Sequence, residues 1–244
     1  MKVVGIIPAR LAATRLANKP LLDICGKPMI QRVWEQAKAA GVLSEVIVAT
    51  PDVEIFEAVQ KFGGIAAMTS DKHRSGTDRL AELASTSDAD IFVNIQGDEP
   101  LIEPGTIALA VQPLLNDAAL PMSSLMCACP EDEWNNPSTV KVVCALNGDA
   151  LYFSRYGLPF LRNPDSPTRP MQHIGLYAYR REFLLTFSSL PPGRLETTES
   201  LEQLRVLENG FRINMVEVNK APLSVDTYED LLRVISILEG KAIS

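Results

Sequence analysis

The sequence is short of the residues that build metal clusters and disulfide frameworks. It holds two histidines, His73 and His173, and four cysteines, Cys25, Cys127, Cys129 and Cys144. Cys127 and Cys129 are one residue apart, which is not zinc-site spacing, and neither histidine is near them in sequence. The cysteines read as buried thiols in a reducing compartment. Long apolar runs are missing too. The opening MKVVGIIPAR carries an apolar stretch too short for a signal-peptide core or a membrane span, and no later stretch reaches spanning length. The expectation is a soluble, cytoplasmic protein with no membrane partner. Positive charge is in deficit, with 23 Lys and Arg against 30 Asp and Glu, net -7. That balance argues against nucleic acid as a partner. There is no low-complexity tract and no internal repeat. Nor does a glycine comb follow the first apolar run: both G-x-x-x-x-G-K-[ST] and G-x-G-x-x-G are absent there.

The first half instead alternates strand and helix patterns. Apolar runs at Val3–Ile7, Val46–Ala49, Ile65–Met68 and Ile91–Ile95 predict short buried strands. Between them, Ile30, Val33, Trp34 and Ala37 form one helical stripe, opened by Pro28 and ended near Gly41. A second helix is predicted from about Asp52 to Phe62 and a third from about Thr77 to Ser85. This order implies an α/β fold, a mostly parallel sheet flanked by helices, with ligands at the carboxyl ends of the strands. The second half is mixed: strands at Met122–Cys129, Val140–Leu146, Ile174–Tyr179 and Ile213–Val218, some of them antiparallel. A Pro-rich loop is predicted at 163–170, a helix at about Thr198–Glu208, and a last helix from near Thr227. No linker divides the chain, so residues 1–244 read as one domain with a smaller mixed sub-region at about 120–190.

Polar residues gather at the predicted strand ends. Arg10, Arg15 and Lys19 lie on the loop after the first strand, where arginine forks and a lysine suit a triphosphate; incidental surface charge is the alternative. The strand Ile91–Ile95 delivers Gln96, Gly97, Asp98 and Glu99 to the same edge. Asp98 is there either a turn residue or a magnesium ligand beside phosphates. Asp226 precedes the last helix. Thr227 and Asp230 resemble a capping box, so that helix does not need Asp226 as its cap, and Asp98 and Asp226 together suit magnesium. Ser75 or Thr77 caps the third helix, and the stretch His73–Arg79 suits a nucleotide at a helix N-terminus. His173 and Tyr177, four apart on one strand, share a face, with Ile174 and Leu176 on the other. Such a face suits a hydroxylated acidic small molecule or plain solvent.

Taken in order, IPARLAATRL, KPMI, HRSGTDRLAE, VNIQGDEPLI, VKVV, ALYFSR, HIGLYAYR, LEQLR and VDTYEDL resemble the 3-deoxy-manno-octulosonate (Kdo) cytidylyltransferases over nearly the whole chain. The resemblance implies a nucleotidyltransferase-type, Rossmann-like fold and a homodimer, with the 120–190 sub-region serving dimerisation and sugar binding. It also implies transfer of CMP from CTP to Kdo with release of pyrophosphate, which activates Kdo for lipopolysaccharide synthesis. By that likeness Arg10, Arg15 and Lys19 hold the triphosphate, Ser75 and Arg79 line the nucleotide side, and Asp98 and Asp226 bind Mg2+. Arg10, Lys19 and Asp98 form the catalytic set. Gln96, Arg155, His173, Tyr177, Glu202 and Gln203 line the sugar pocket, Arg155 facing the sugar's carboxylate. The 8-amino analogue of Kdo as acceptor, and a non-catalytic nucleotide-binding module, are the rival readings. Three positions depart from the family's usual pattern: Asn18 and Ser224 replace glycines, and Pro51 replaces an aspartate. Asn18 is expected where φ is positive.

Overall fold

The structure is a computed structural model that describes residues 1–12, 16–73, 75–163, 165 and 168–241. In chain order its elements begin with β1 Val3–Pro8, β2 Asp23–Ile24, β3 Lys27–Pro28, α1 Met29–Lys38, β4 Glu45–Thr50, α2 Val53–Lys61 and β5 Ile65–Met68. Then come α3 Gly76–Ser85, β6 Ile91–Asn94, α4 Pro104–Asn116, β7 Met122–Ala128, β8 Lys141–Cys144 and β9 Ala150–Ser154. The rest are β10 Met171–Arg180, α5 Arg181–Ser189, α6 Arg194–Glu199, α7 Leu204–Glu208, β11 Asn214–Glu217 and α8 Tyr228–Leu238.

Among the described residues, nine strands share one sheet with the path β11-β7-β10-β6-β1-β4-β5; off it, β8 pairs with β10 and β9 pairs with β8. The run β6-β1-β4-β5 is parallel, as strand–helix alternation predicts. β10 runs antiparallel to β6, β7 and β8, which makes the second half mixed. β1 sits at the centre of the parallel run, buried on both faces: Val3 and Ile7 enter one apolar layer, Val4 and Ile6 the other. The first layer receives α1, α2 and α4 through Ile30, Val33, Ile55, Val59, Ile107 and Val111. The second receives α3, α5 and α7 through Leu80, Ala84, Leu184, Phe187, Leu204 and Val206. Each of these Ile, Val, Leu and Phe side chains contributes about 1.5–3 kcal/mol on burial, so both layers hold the sheet edge that carries the site.

A third, smaller cluster matters most for that site. Ile24 and Met29, from the β2–β3 hairpin and the start of α1, pack on Val225, Leu231 and Val234. α8 is thereby fastened beside the loop that follows β1. Among the described residues no helix is long and apolar enough to cross a membrane.

One predicted helix is corrected. Residues 198–208 do not run as one helix: α6 ends at Glu199, Ser200 adopts a left-handed conformation (φ 52°), and α7 starts at Leu204. The break is held by Arg205, which donates to both oxygens of Glu196 across it. It lets Glu202 turn to Thr77 while Gln203 faces a cavity. α4, α5, β9 and the β2–β3 hairpin are elements the periodicity did not reveal.

Candidate active site

The loop after β1 is set by backbone devices. The Leu11 N–H donates to the Asp52 carboxylate at 2.7 Å, so Asp52 at the start of α2 pins the loop rather than capping its own helix. Pro51 at that helix start is accommodated. Asn18 has φ 54° and ψ 29°, the left-handed conformation expected where the family uses glycine. It opens a short 3-10 turn, Lys19–Leu21, which aims Lys19 inward. Arg15 lies outside the described residues.

Lys19 meets two acids. Its Nζ donates to Asp98 at 2.7 Å and to Asp226 at 3.1 Å. Burial alone would lower the ammonium's pKa, but the two carboxylates outweigh it and hold Lys19 above its ordinary value. Asp98 follows β6, and Gly97 before it lies close against β1: a Cβ there would sit 3.1 Å from the Pro8 carbonyl oxygen, tight enough that the backbone would have to give. Asp226 is brought across by the third cluster and by the Val225 N–H, which donates to the Asp98 carbonyl at 2.9 Å. Thr227 and Asp230 form the expected capping box on α8, so Asp226 turns to Lys19.

These residues line a cavity of about 420 Å³ at the carboxyl ends of β1 and β6. Of the sequence-predicted set, the structure brings Arg10, Lys19, Ser75, Arg79, Gln96, Asp98 and Asp226 to this one cavity. Ser75 caps α3 in a capping box with Asp78. Arg79 is only 4% exposed; its guanidinium donates to the Thr69 hydroxyl and to the Ser70 carbonyl at 3.1 Å, and burial holds its pKa below the ordinary value. His73 also lines the cavity, with Nε2 2.5 Å from Glu82, whose carboxylate accepts the Ser70 N–H as well.

A second cavity, about 330 Å³, adjoins the first. Gln96 lines the first, and its amide donates at 2.7 Å to the carbonyl of Gly175, which lines the second. Asp98 and Glu99 divide in the same way, one to each. His173, Tyr177 and Gln203 line the second cavity as expected. A bulge in β10 places two extra residues, Gly175 and Leu176, against β7. Two is an even number, so the alternation survives: His173 and Tyr177 have ring centroids 5.3 Å apart, while Ile174 and Leu176 enter the opposite layer. Burial keeps the His173 imidazole neutral, its pKa lowered to about 3. Its Nε2 lies 3.0 Å from the Ser124 hydroxyl, which also contacts two carbonyls. The network is satisfied when Ser124 donates to a carbonyl and accepts from Nε2–H, leaving Nδ1 as the ring's acceptor.

Glu202, expected in the sugar pocket, lines neither cavity and is taken up by α3. It accepts from Thr77 at 2.6 Å and from Ser75, and burial raises its pKa. Arg155 is placed elsewhere than expected and lines neither cavity. Its Nε, Nη1 and Nη2 donate to the carbonyls of Glu199, Pro137 and Ser200 at 2.7, 2.9 and 3.2 Å. The guanidinium is taken up tying loops together, which leaves it turned from the cavity.

Sequence reasoning missed Asp52, Glu82, Gln172 and the wall at Ser138, Thr139 and Val140. It also passed over Glu99, 7% exposed, with Oε2 lacking a partner among the described residues and its pKa raised to about 8 by burial and then by Asp98. A carboxylate inside the strand-end motif was the available signal for Glu99; the others had none beyond polarity. As for metal, no group of three or more His, Cys, Asp or Glu is gathered among the described residues. Two carboxylates that converge on one ammonium do fit Mg2+, which takes oxygen ligands and commonly shares one or two carboxylates with substrate phosphates.

Comparison with known proteins agrees with this geometry. The sequence pattern of the Cytidylyltransferase family matches residues 4–214. The 3-deoxy-manno-octulosonate cytidylyltransferase of Syntrophus aciditrophicus (strain SB) is 50% identical over 99% of this chain and 99% of that protein. Its counterpart in Geobacter metallireducens is also 50% identical, over 98% of each. A solved CMP:2-keto-3-deoxy-manno-octonic acid synthetase complexed with CTP superposes with a TM-score of 0.95 at 46% identity, covering 98% of this chain and 99% of that one. A Bacillus anthracis structure described as a glucose-1-phosphate thymidylyltransferase shares the fold at 18% identity, with a TM-score of 0.70 over 99% of this chain and 97% of that one. With half its residues shared along almost its full length, and a charged cavity abutting a neutral one at the strand ends, the chain belongs to the 3-deoxy-manno-octulosonate cytidylyltransferase family.

Proposed function

We propose that the protein transfers CMP from CTP to Kdo, releasing pyrophosphate and forming CMP-Kdo. The observation that carries this reading is the meeting of two unlike cavities along residues 96–99. One is lined by Arg10, Lys19 and Arg79 and suits an anionic nucleotide. The other is lined by neutral donors and acceptors, His173, Tyr177 and Gln203, and suits a polyhydroxylated acceptor. A nucleotide and an acceptor bound so would touch at Gln96 and Asp98, where the sugar's anomeric hydroxyl attacks the α-phosphorus and pyrophosphate leaves.

The chain's contribution is positioning and charge, as phosphoryl-type transfer requires. Arg10, Arg15 and Lys19 bind the triphosphate and stabilise charge on the leaving pyrophosphate; Ser75 and Arg79 line the nucleotide. Gln96 orients the acceptor, with His173, Tyr177 and Gln203 holding its hydroxyls and Glu202 bracing α3 against that pocket. Asp98 and Asp226 would hold Mg2+, which when bound supplies Lewis-acid stabilisation of the phosphates and a lowered hydroxyl pKa. The protein works as a homodimer in the cytoplasm, and its product serves lipopolysaccharide synthesis. The test is pyrophosphate release with CTP and Mg2+, offering Kdo, its 8-amino analogue and a sialic acid separately. Release with Kdo is expected; silence with Kdo refutes the assignment. Omitting Mg2+ and light scattering of the purified protein check the cofactor and the dimer.

A further inference from the structure

Lys141 lies in β8 with 0% exposure. No carboxylate forms an ion pair with it among the described residues. Its Nζ donates instead to three carbonyls: Asn136 at 2.8 Å, Thr139 at 2.6 Å and Arg155 at 2.8 Å. An ammonium has three protons, so its bonding capacity is filled by backbone alone. Burying a charge in this way is costly, and an apolar side chain of similar length would fill the space without that penalty. What the ammonium adds is geometry, because it fixes carbonyls from two segments of the chain at one point.

One of those segments walls the second cavity. Ser138, Thr139 and Val140 line it, and the Val140 carbonyl accepts the His173 N–H at 2.8 Å, joining the wall to β10. Arg155 grips the same segment from outside through the Pro137 carbonyl and links it to Ser200, next to Leu201, which also lines the cavity. Lys141 is the point where these ties converge, since it holds Arg155's own carbonyl.

We propose that Lys141 is a positioning residue for acceptor recognition: its ammonium sets the wall at 138–140 and so governs binding of the sugar without touching it. This rests on the reading that the second cavity takes the acceptor. The first cavity lies on the far side of residues 96–99 and makes no use of Lys141, so the nucleotide should not sense its loss.

The experiment is steady-state kinetics of the full-length Lys141→Met variant with CTP and Kdo, beside wild type. KM for Kdo should rise about tenfold or more while KM for CTP stays within about twofold, because the change acts on one substrate's pocket. Equal rises in both constants, or an unchanged KM for Kdo in the variant, overturn the proposal. Should Lys141→Met not fold by circular dichroism, Lys141→Gln keeps two donors for the carbonyls. About a threefold rise confined to Kdo is then expected, and an unchanged Kdo constant overturns the proposal equally. Wild type separates the two ideas: no turnover of Kdo by wild type refutes the functional reading, whereas normal turnover with unsplit constants in the variants refutes only the role of Lys141.

Discussion

The two cavities share a border at residues 96–99 but are built from opposite materials. In the first, charge meets charge: Lys19 lies between Asp98 and Asp226, and Arg10 and Arg79 stand beside them. In the second, the lining groups are neutral, Glu99 included because burial raises its pKa to about 8, and cations are kept behind the wall, where Lys141 and Arg155 bind only backbone carbonyls with their side chains. On the proposed function, the first would stabilise charge as it moves during reaction, and the second would recognise shape and hydroxyls. A transferase of this kind needs both, since negative charge shifts onto the leaving pyrophosphate while the acceptor's hydroxyl must be aimed at the α-phosphorus and give up its proton.

The contrast can be broken most severely at Asp98. Asp98→Asn should lower kcat by about a thousandfold with an unchanged thermal midpoint, since it removes charge at the reacting centre while leaving the apolar layers intact. Pyrophosphate release and thermal denaturation together check this; normal turnover would remove Asp98 from the catalytic set. On the neutral side the loss should be smaller and confined to one substrate. Tyr177→Phe removes one hydroxyl from the second cavity and should raise KM for Kdo about fivefold, the worth of one hydrogen bond, without altering KM for CTP.

A pH measurement sharpens the neutrality of the second cavity. His173 is depressed from its ordinary 6.5 to about 3 by burial. Between those values the unfolded chain binds the proton and the folded one does not. The stability tied to a neutral ring is therefore fully present above pH 6.5 and is lost as pH falls towards about 3. Denaturant titrations of wild type and His173→Asn should diverge in slope across that window, the variant losing less on acidification. The smallest effect belongs to the loop that aims Lys19. Asn18→Ala places a Cβ-bearing residue with no local polar compensation at φ 54° and should cost about 1 kcal/mol, read by denaturation, with a modest rise in KM for CTP.

Much of this was readable before any coordinates. β1, β4 and β6 announce themselves as apolar runs because they lie inside the sheet, whereas β5, expected to be buried, is the exposed edge strand, with Ile65 and Met68 about half exposed; the cap of α3 at Ser75 and the capping box at Thr227 are written locally. The left-handed Asn18 was readable through the resemblance, since it stands where the family uses glycine and asparagine tolerates that conformation. What escaped depends on distant partners. α4 carries Pro113 inside it, and little polarity marks its outer face. The break at Ser200 is enforced by Arg205 and Glu196, and Arg155 faces carbonyls from two separate segments, Pro137 and Glu199–Ser200. Lys141 sat in plain view as a cation inside the apolar run Val140–Val143, but its meaning came from where Asn136, Thr139 and Arg155 place their oxygens.

The bond between Lys19 and Asp226 spans 207 positions of sequence. During synthesis, the ribosome will have made β1 and every other described sheet strand before Asp226 exists. The nascent chain can thus assemble its parallel core early, while the ammonium of Lys19 and the carboxylate of Asp98 wait for their third member. Chemical competence arrives last, with the segment that docks α8 onto the β2–β3 hairpin, so a chain cut short before Val225 would be a folded sheet without a finished reaction centre.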